Sequence, residues 1–210
     1  MSEHVESNRY YTVVKIVLTP LLKIFLGLRI RNADRVPMKG GIIVAANHVS
    51  NFDPVVMGAA VPRQLAFLAK IELFRIPIFS GLLRRLDAIP LRRHTADRGA
   101  LLEAIRVLQN RRALLMFPEG TRSKTGEIQE GKRGVAMLAV KNRVPIMPVH
   151  ISGTFRFLPS LWRRRVVVRF GRPMTVEPFL KLRLSSKEKY YRIGEEIMKR
   201  IKELRDAHHD

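Results

Sequence analysis

Short apolar runs alternate with amphipathic stretches along most of the chain. Six apolar runs of strand length predict strands at 41–46, 65–69, 86–91, 113–117, 144–151 and 166–170. Apolar residues at helical spacing predict helices between these strands, at 54–60, 77–83, 96–109 and 133–141. Strands that alternate with helices favour an α/β fold: a single domain whose mostly parallel central sheet is flanked by helices.

The stretch from residue 9 to residue 30 is apolar on most of its surface if it is helical. Its interior polar residues, Lys15, Thr19 and Lys23, are four apart and form one narrow stripe. Pro20 predicts a kink or a division into two short helices, and the lysines and the proline argue against a membrane-spanning helix. We interpret the stretch as an amphipathic helix, or helix pair, in the membrane interface, with its lysines reaching lipid phosphates. The alternative is a helix packed on the protein's own core.

The pattern divides the chain into three segments. Residues 1–30 are an N-terminal membrane-docking segment, residues 31–184 the α/β domain, and residues 185–210 a C-terminal amphipathic helix packed on that domain. Ser185 and Glu188 have the spacing of a capping box, which predicts where this last helix begins. Residues 29–39 are interpreted as a basic linker.

The charge balance indicates an anionic partner. Among 210 residues, 39 lysines and arginines face 18 acidic residues, giving a net charge of +21. Such a surface attracts nucleic acid, anionic lipid head groups or phosphorylated substrates. Only 7% of the residues are aromatic, and neither an aromatic-interleaved basic platform nor a groove-reading basic helix is evident, so we expect no nucleic-acid partner. The chain has no cysteine, which excludes disulfides and thiolate chemistry and suits a reducing cytoplasmic setting.

An Asn-His pair ends the first predicted strand, and an acidic residue follows shortly afterwards. Asp53 lies five residues after His48 and directly before Pro54. A turn at this point brings the carboxylate back onto the imidazole, and a histidine held by a carboxylate takes a proton from a hydroxyl group in acid–base catalysis. The alternative is purely structural: Asp53 caps a helix whose first residue is Pro54.

Two further polar clusters follow predicted strands. Residues 117–123 combine a turn with Glu119 and Arg122; the guanidinium suits a phosphate, although a surface turn with an ordinary ion pair has the same composition. Arg92 and Arg93 end the third strand and offer a second phosphate contact or a solvated basic edge. Because sites in parallel sheets lie beyond the carboxyl ends of strands, we expect these clusters to converge with His48.

The motifs resemble those of the lysophosphatidic-acid acyltransferase (1-acyl-glycerol-3-phosphate acyltransferase) family, within the glycerophospholipid acyltransferases. The family's first motif, His-x4-Asp preceded by Asn, matches residues 47–53, and its third, Phe-Pro-Glu-Gly-Thr-Arg-Ser, matches residues 117–123 without change. The second, an apolar strand ending in arginine, corresponds to residues 88–93, and the fourth, with its two prolines, to residues 144–149. Order and spacing agree between residues 30 and 175.

The resemblance implies a role for each matched residue. His48 is the general base, and Asp53 fixes its tautomer and stabilises the imidazolium. Arg93, which fits the family arginine better than Arg92, would hold the substrate phosphate together with Arg122, and Glu119 would position the glycerol. The implied catalytic residues are thus His48 and Asp53, and the implied substrate-binding residues are Arg93, Glu119, Gly120, Thr121 and Arg122. We expect no metal and no permanently bound cofactor.

The resemblance also implies the reaction. A fatty acyl group would move from acyl-CoA or acyl carrier protein to the sn-2 hydroxyl of lysophosphatidic acid, giving phosphatidic acid. Direct transfer in a ternary complex is favoured over an acyl-enzyme on Ser50. The implied partners are lysophosphatidic acid, the thioester donor and an anionic membrane surface, and the implied location is monotopic, on the cytoplasmic face of the cell membrane.

Two other functions remain open from the sequence. The same chemistry serves another acceptor, such as glycerol-3-phosphate or another lysophospholipid. A basic membrane- or nucleic-acid-binding module with a degenerate site also accommodates the charge of +21, although His48, Asp53 and the intact 117–123 loop argue against degeneracy.

Overall fold

Seven strands form one sheet at the centre of the computed structural model, which describes residues 8–92, 97–155 and 165–207. The strands are β1 (Arg29–Arg31), β2 (Ile42–Ala46), β3 (Leu65–Lys70), β4 (Ala88–Leu91), β5 (Ala113–Met116), β6 (Ile146–Ser152) and β7 (Val167–Phe170). Their order across the sheet is β1-β7-β6-β2-β5-β3-β4. The five strands from β6 to β4 are parallel, whereas β7 runs antiparallel to β6 and β1 parallel to β7.

Helices cover both faces of this sheet. They are α1 (Arg9–Leu26), α2 (Asp53–Ala60), α3 (Pro77–Arg85), α4 (Arg98–Gln109), α5 (Gly134–Asn142), α6 (Glu177–Leu180) and α7 (Ser186–Asp206). Buried side chains of α1 and α2 share one apolar cluster with one face of the sheet. Those of α4, α5 and α7 form a second cluster on the other face. The predicted α/β fold with a mostly parallel, helix-flanked sheet is confirmed.

The prediction that residues 29–39 are a linker is wrong. The segment contributes β1, which pairs with β7 at the sheet edge, and a 3-10 helix at Ala33–Arg35. In β1 only Ile30 packs against the core, while the arginines on either side of it are exposed. A three-residue edge strand with one inward side chain is too short to show a period of two in the sequence.

Of the two alternatives predicted at Pro20, a kink or a division into two helices, the division is wrong, because α1 continues through the proline from Arg9 to Leu26. Proline removes the amide that would bond the carbonyl group of Ile16. Ile16 is exposed, so water can satisfy that carbonyl. The helix ends at Gly27, whose φ of 55° lies in the left-handed region that glycine tolerates.

Two of the three polar stripe residues of α1 face the protein, whereas the third, Lys23, is exposed. Lys15 donates to the carbonyl oxygen of Val61, and Thr19 donates to that of Ala59 at 3.5 Å, both at the carboxyl end of α2. Burial lowers the pKa of Lys15. The interpretation that this lysine reaches lipid phosphate is therefore wrong, because α1 uses it to satisfy carbonyl groups at the end of α2.

The outward surface of α1 is apolar. Buried Tyr11, Leu22 and Leu26 attach the helix to the core. Six other large apolar side chains of α1 are exposed: Val13, Ile16, Val17, Leu21, Ile24 and Phe25. None of the helices in the described residues is both long and apolar enough to cross a membrane.

Candidate active site

The site begins where β2 ends, at Asn47. The amide side chain of this buried residue pairs with the backbone of Ile151 on β6: Nδ2 donates to the carbonyl oxygen at 2.9 Å, and Oδ1 accepts the backbone N–H at 2.7 Å. The side chain thus makes with β6 the two hydrogen bonds that the backbone of a further strand residue would otherwise make. This anchors the start of the turn that carries His48.

The turn brings His48 and Asp53 together, which is the contact that the catalytic alternative requires. His48 Nδ1 lies 2.8 Å from Asp53 Oδ2, and the same oxygen accepts the N–H groups of Val49 at 2.8 Å and Ser50 at 2.7 Å. Because a carboxylate is an acceptor, Nδ1 carries the hydrogen and Nε2 is left as the acceptor of the ring. The imidazole is therefore set up to receive a proton at Nε2.

Asp53 does not cap α2, contrary to the structural alternative. The helix begins at Asp53 itself, one residue before the predicted start at Pro54, and no side chain caps its first turn. The carboxylate turns back to the amides of the preceding turn, which compete with the helix amides for the same oxygens. Ser50 takes part in that turn as well, since its Oγ accepts the N–H of Phe52 at 3.2 Å.

Thr154 is the fourth hydrogen-bond donor to Asp53, and the sequence analysis missed it. It lies two residues beyond β6, and its Oγ1 donates to Asp53 Oδ1 at 2.7 Å, with both side chains buried. The signal was available in the topology: β6 is the parallel neighbour of β2, so residues that follow both strands meet at one edge. Thr154 fixes the carboxylate oxygen that does not face His48.

We expect Thr154→Val to lower turnover about tenfold while leaving KM for the acceptor unchanged, because a freed carboxylate orients the imidazole less well. The loss of a buried hydrogen bond to a charged group should also lower the free energy of unfolding by about 1.5 to 3 kcal/mol. Steady-state kinetics and urea unfolding measure the two effects. Thr154→Ser, which keeps the hydroxyl, should restore turnover; equal loss in both variants would contradict the role of the hydrogen bond.

The loop after β5 holds the His48 peptide from both sides. The Oε1 atom of Glu119 accepts the His48 N–H at 2.9 Å, and the Ser123 N–H donates to the His48 carbonyl oxygen at 2.8 Å. Ser123 is buried, and its Oγ accepts the N–H of Gly126 at 3.1 Å. The predicted convergence of the first and third clusters is thus present, through backbone contacts that residue spacing alone did not reveal.

Phe117 fixes the plane of the imidazole. Its ring stacks on that of His48 with 3.9 Å between centroids and 14° between planes. Together with Asp53 on Nδ1 this leaves the ring little freedom to rotate about χ2. His48 is buried, with only 6% of its surface exposed.

Glu119 lies in the interior and is 2% exposed. Besides the His48 amide it binds the side chain of Gln129, whose Nε2 donates to Oε2 at 3.1 Å. Burial raises the pKa of Glu119, and the hydrogen bonds from His48 and Gln129 oppose that shift. In the structure this carboxylate supports the turn that carries His48; its predicted contact with the acceptor stays a prediction.

Gly120, Thr121 and Arg122 form the exposed tip of the same loop. Gly120 has φ 69°, which lies in the left-handed region that favours glycine, and the flexible side chain of Lys132 lies against it. The N–H of Gly120 donates to the carbonyl oxygen of Phe117 at 3.0 Å and closes the turn. The exposed guanidinium of Arg122 is available to an incoming anion.

A second group of cations lies at the ends of β3 and β4. Lys70, the last residue of β3, is exposed and pairs in register with Leu91, directly before Arg92. The carboxylate of Asp97 accepts the Arg92 N–H at 2.8 Å and caps α4. Arg93 lies outside the described residues. Three inter-strand spacings, roughly 14 Å, separate β4 from β2.

The described residues contain no group of three or more histidine, cysteine, aspartate or glutamate side chains arranged to hold a metal ion. The pair of His48 and Asp53 is bonded to backbone amides and to Thr154 instead. The arrangement suits proton transfer at Nε2 next to a surface that attracts phosphate.

The chain is similar to known acyltransferases in sequence and in fold. A family model described as Acyltransferase matches residues 27–152. A 1-acyl-sn-glycerol-3-phosphate acyltransferase of Streptococcus pneumoniae is 32% identical over 98% of this chain and 79% of its own length. One from Bacillus subtilis is 27% identical over 89% of this chain and 92% of its own length. The crystal structure of a 1-acyl-sn-glycerophosphate acyltransferase from Thermotoga maritima superposes with a TM-score of 0.74, at 30% identity, covering 97% of this chain and 84% of that one.

Proposed function

The chain belongs to the acyltransferase family, and from that premise we propose that it acylates lysophosphatidic acid to give phosphatidic acid in phospholipid biosynthesis. The relatives from S. pneumoniae and B. subtilis carry the name of this activity and align over most of the chain. The observation that carries the proposal is the buried contact of 2.8 Å between His48 and Asp53, which leaves Nε2 free to accept a proton.

The reaction follows from the orientation of the imidazole. His48 Nε2 takes the proton of the sn-2 hydroxyl as its oxygen attacks the thioester carbonyl carbon. The tetrahedral intermediate expels the thiolate of the donor as the C–S bond breaks. The imidazolium then gives its proton to that sulfur, which restores the base and releases phosphatidic acid and a free thiol. Asp53, as a carboxylate on Nδ1, stabilises the positive charge that develops on the ring.

The acceptor's phosphate would bind cations at the strand ends. Arg122 is exposed beside the turn that holds His48, and Arg93 follows β4 directly after Arg92. Lys70 lies at the end of the strand between them and adds a third positive charge. Gly120 and Thr121 belong to the same exposed loop and would contact the acceptor, which Glu119 helps to position.

Arg122→Ala should raise KM for lysophosphatidic acid about 10- to 100-fold, because it removes a charge-assisted contact with phosphate. Turnover at saturating acceptor should change much less. Lys124→Ala is the matched control, since Lys124 is an exposed cation of the same loop and should leave KM unchanged. An Arg122→Ala enzyme with the KM of the wild type would remove Arg122 from the phosphate site.

The donor is acyl-CoA or acyl carrier protein, and the enzyme works on an anionic membrane surface. The net charge of +21 supports attraction to both the acidic donor and the lipid. The exposed apolar face of α1 supports docking in the interface, with 1–30 as the docking segment, 31–184 as the catalytic domain and 185–210 as a helix packed on it. We propose that the enzyme is a monotopic membrane protein on the cytoplasmic face of the cell membrane.

A panel of donors and acceptors tests the proposal. The purified protein, in detergent or with liposomes, receives acyl-CoA or acyl carrier protein thioesters of several chain lengths. The acceptors are lysophosphatidic acid, glycerol-3-phosphate and lysophosphatidylcholine. Acylation of lysophosphatidic acid in preference to the others is expected; faster transfer to another acceptor would reassign the substrate while keeping the chemistry.

A further inference from the structure

The segment between β3 and β4 exposes an apolar surface that the proposed site does not use. This 71–85 segment consists of a 3-10 helix at Ile71–Arg75 followed by α3. Ile78 is 85% exposed, and Leu73 and Ile76 are exposed beside it. Large aliphatic side chains that are exposed next to one another indicate a surface that binds a partner.

The 71–85 segment lies on the same face of the sheet as α1 and α2. The strands β2, β3 and β4 are parallel, and each step along the chain from β2 to β3 to β4 moves in the same direction across the sheet. Since such crossovers are right-handed, α3 covers the face that α2 covers. Leu86, at the end of α3, packs against the cluster of that face, as this placement requires.

Exposed apolar side chains are concentrated on this face. Of the fifteen large ones in the described residues, eleven belong to α1, to the 71–85 segment, or to Phe52 and Val55 at the start of α2. The opposite layer shows only scattered examples, such as Leu102 on α4 and Tyr191 on α7. The face that bears the catalytic turn is therefore also the apolar one.

The 71–85 segment touches α1. Asn8 Nδ2 donates to the carbonyl oxygen of Arg85 at 3.0 Å, and the Arg85 guanidinium carbon lies 5.1 Å from the centroid of the Tyr10 ring. The amino end of α1 and the carboxyl end of α3 thus meet. The two elements are joined through this contact.

Cations flank the apolar side chains of the 71–85 segment. Arg75, Arg84 and Arg85 are exposed, as is Lys70 immediately before the segment, whereas Glu72 is the one acidic residue within 70–85. Exposed aliphatic residues flanked by arginine match the interface of an anionic bilayer, where apolar side chains enter the acyl region and cations bind phosphate. Because α1 on the same face also exposes large apolar side chains, a lipid surface that covers both elements is favoured over a protein partner.

We propose that the 71–85 segment is a second membrane-contacting element, which acts with α1 to hold the carboxyl ends of β2 to β5 against the lipid. One amphipathic helix alone leaves the body of the enzyme free to rotate about it, whereas two contacts on one face fix its orientation. The inference rests on the proposed function, since it supplies the lipid acceptor of the same site. The 71–85 segment follows Lys70 directly, so this membrane contact would lie next to the strand ends that are proposed to bind phosphate.

Tryptophan depth measurements test the proposal on the full-length protein. Trp162, the one tryptophan of the chain, is first replaced by phenylalanine. Single tryptophans are then introduced as Ile78→Trp in the segment, Ile24→Trp on α1 and Leu102→Trp on the opposite face, where Leu102 is 56% exposed. Vesicles of phosphatidylglycerol and phosphatidylcholine with brominated acyl chains serve as quencher.

We expect Ile78→Trp to shift to the blue and to be quenched, and Leu102→Trp to remain unchanged. An unquenched Ile78→Trp beside a quenched Ile24→Trp would overturn the proposal while leaving membrane docking by α1 intact. Equal quenching at 78 and 102 would overturn it too, because no face would then be selected. A response of Ile78→Trp to soluble acyl carrier protein, without one to vesicles, would assign the surface to a protein partner instead.

Ile78→Asp measures how much the contact contributes. Vesicle partitioning should fall about tenfold, as expected for removing one buried isoleucine from lipid, whereas the matched Leu102→Asp should bind like the wild type. Aspartate in the first turn of α3 is favourable for the helix, so a loss of binding will not reflect a melted helix. Activity on acceptor dispersed in detergent should be unchanged; if wild type and Ile78→Asp are both inactive there, the proposed function fails and not this inference.

Discussion

His48→Ala is expected to lower the turnover of acyl transfer about a thousandfold or more while leaving the protein folded. The substitution removes Nε2, the atom that accepts the proton of the hydroxyl group in the proposed mechanism. General-base catalysis contributes a rate factor of about this size. The backbone contacts of residue 48 with Glu119 and Ser123 do not involve its side chain and persist. Loss of the stacking with Phe117 should cost about 1 kcal/mol, and loss of the buried hydrogen bond to Asp53 about 1.5 to 3 kcal/mol more.

Steady-state rates of thiol release and thermal unfolding measure these two effects. His48→Gln serves as a second variant, because it retains a side-chain donor for Asp53 without a base. A fully active His48→Ala enzyme that unfolds like the wild type would remove the imidazole from the mechanism. If His48→Ala fails to fold, His48→Gln is measured in its place. Activity near that of the wild type in His48→Gln would likewise remove the imidazole from the mechanism.

Asp53→Asn is expected to be nearly as damaging to turnover, about a thousandfold, and more damaging to stability. An amide placed at residue 53 offers one acceptor oxygen to the donors that now share two carboxylate oxygens: His48 Nδ1, the amides of Val49 and Ser50, and Thr154 Oγ1. Its NH2 group would face donors, or turn the imidazole to the tautomer that lacks a base at Nε2. The free energy of unfolding should fall by about 2 to 4 kcal/mol.

Urea unfolding and single-turnover rates measure both losses for Asp53→Asn. Asp34→Asn is the control, because it removes the same charge from a residue that the site does not use. Retention of turnover within about threefold of wild type would show that the carboxylate does not orient the base. Lost turnover with unchanged stability would contradict the four-donor account of the turn.

The sheet could be predicted from the sequence because its strands are buried on both faces. Ile42–Ala46 is fully buried, and such a continuous apolar run stands out. At the edge this signal fails: β1 turns only Ile30 inward and was interpreted as linker. The division expected at Pro20 does not occur because its cost depends on exposure. Proline chemistry predicts a lost hydrogen bond, but it does not show that the affected carbonyl of Ile16 lies on an exposed surface.

The chemistry of the site could be predicted from the sequence, but the contacts that hold its side chains in position could not. The spacing of His48 and Asp53 allowed a contact, and the motif order identified the loop at 117–123. Which donors surround Asp53 depends on strand neighbours: β6 lies beside β2, and this brings in Thr154 from about a hundred residues away along the chain. The stacking of Phe117 and the inward turn of Glu119 likewise follow from packing, which residue spacing does not encode.

The most direct measurement is the formation of phosphatidic acid from labelled lysophosphatidic acid and an acyl thioester, by purified wild type and His48→Ala protein in parallel. Both acyl-CoA and acyl carrier protein are supplied, with liposomes of phosphatidylglycerol. We predict time-dependent phosphatidic acid and one equivalent of free thiol with the wild type, and neither above background with His48→Ala. Absence of product from the wild type with both donors, or equal product from the two proteins, would contradict the account.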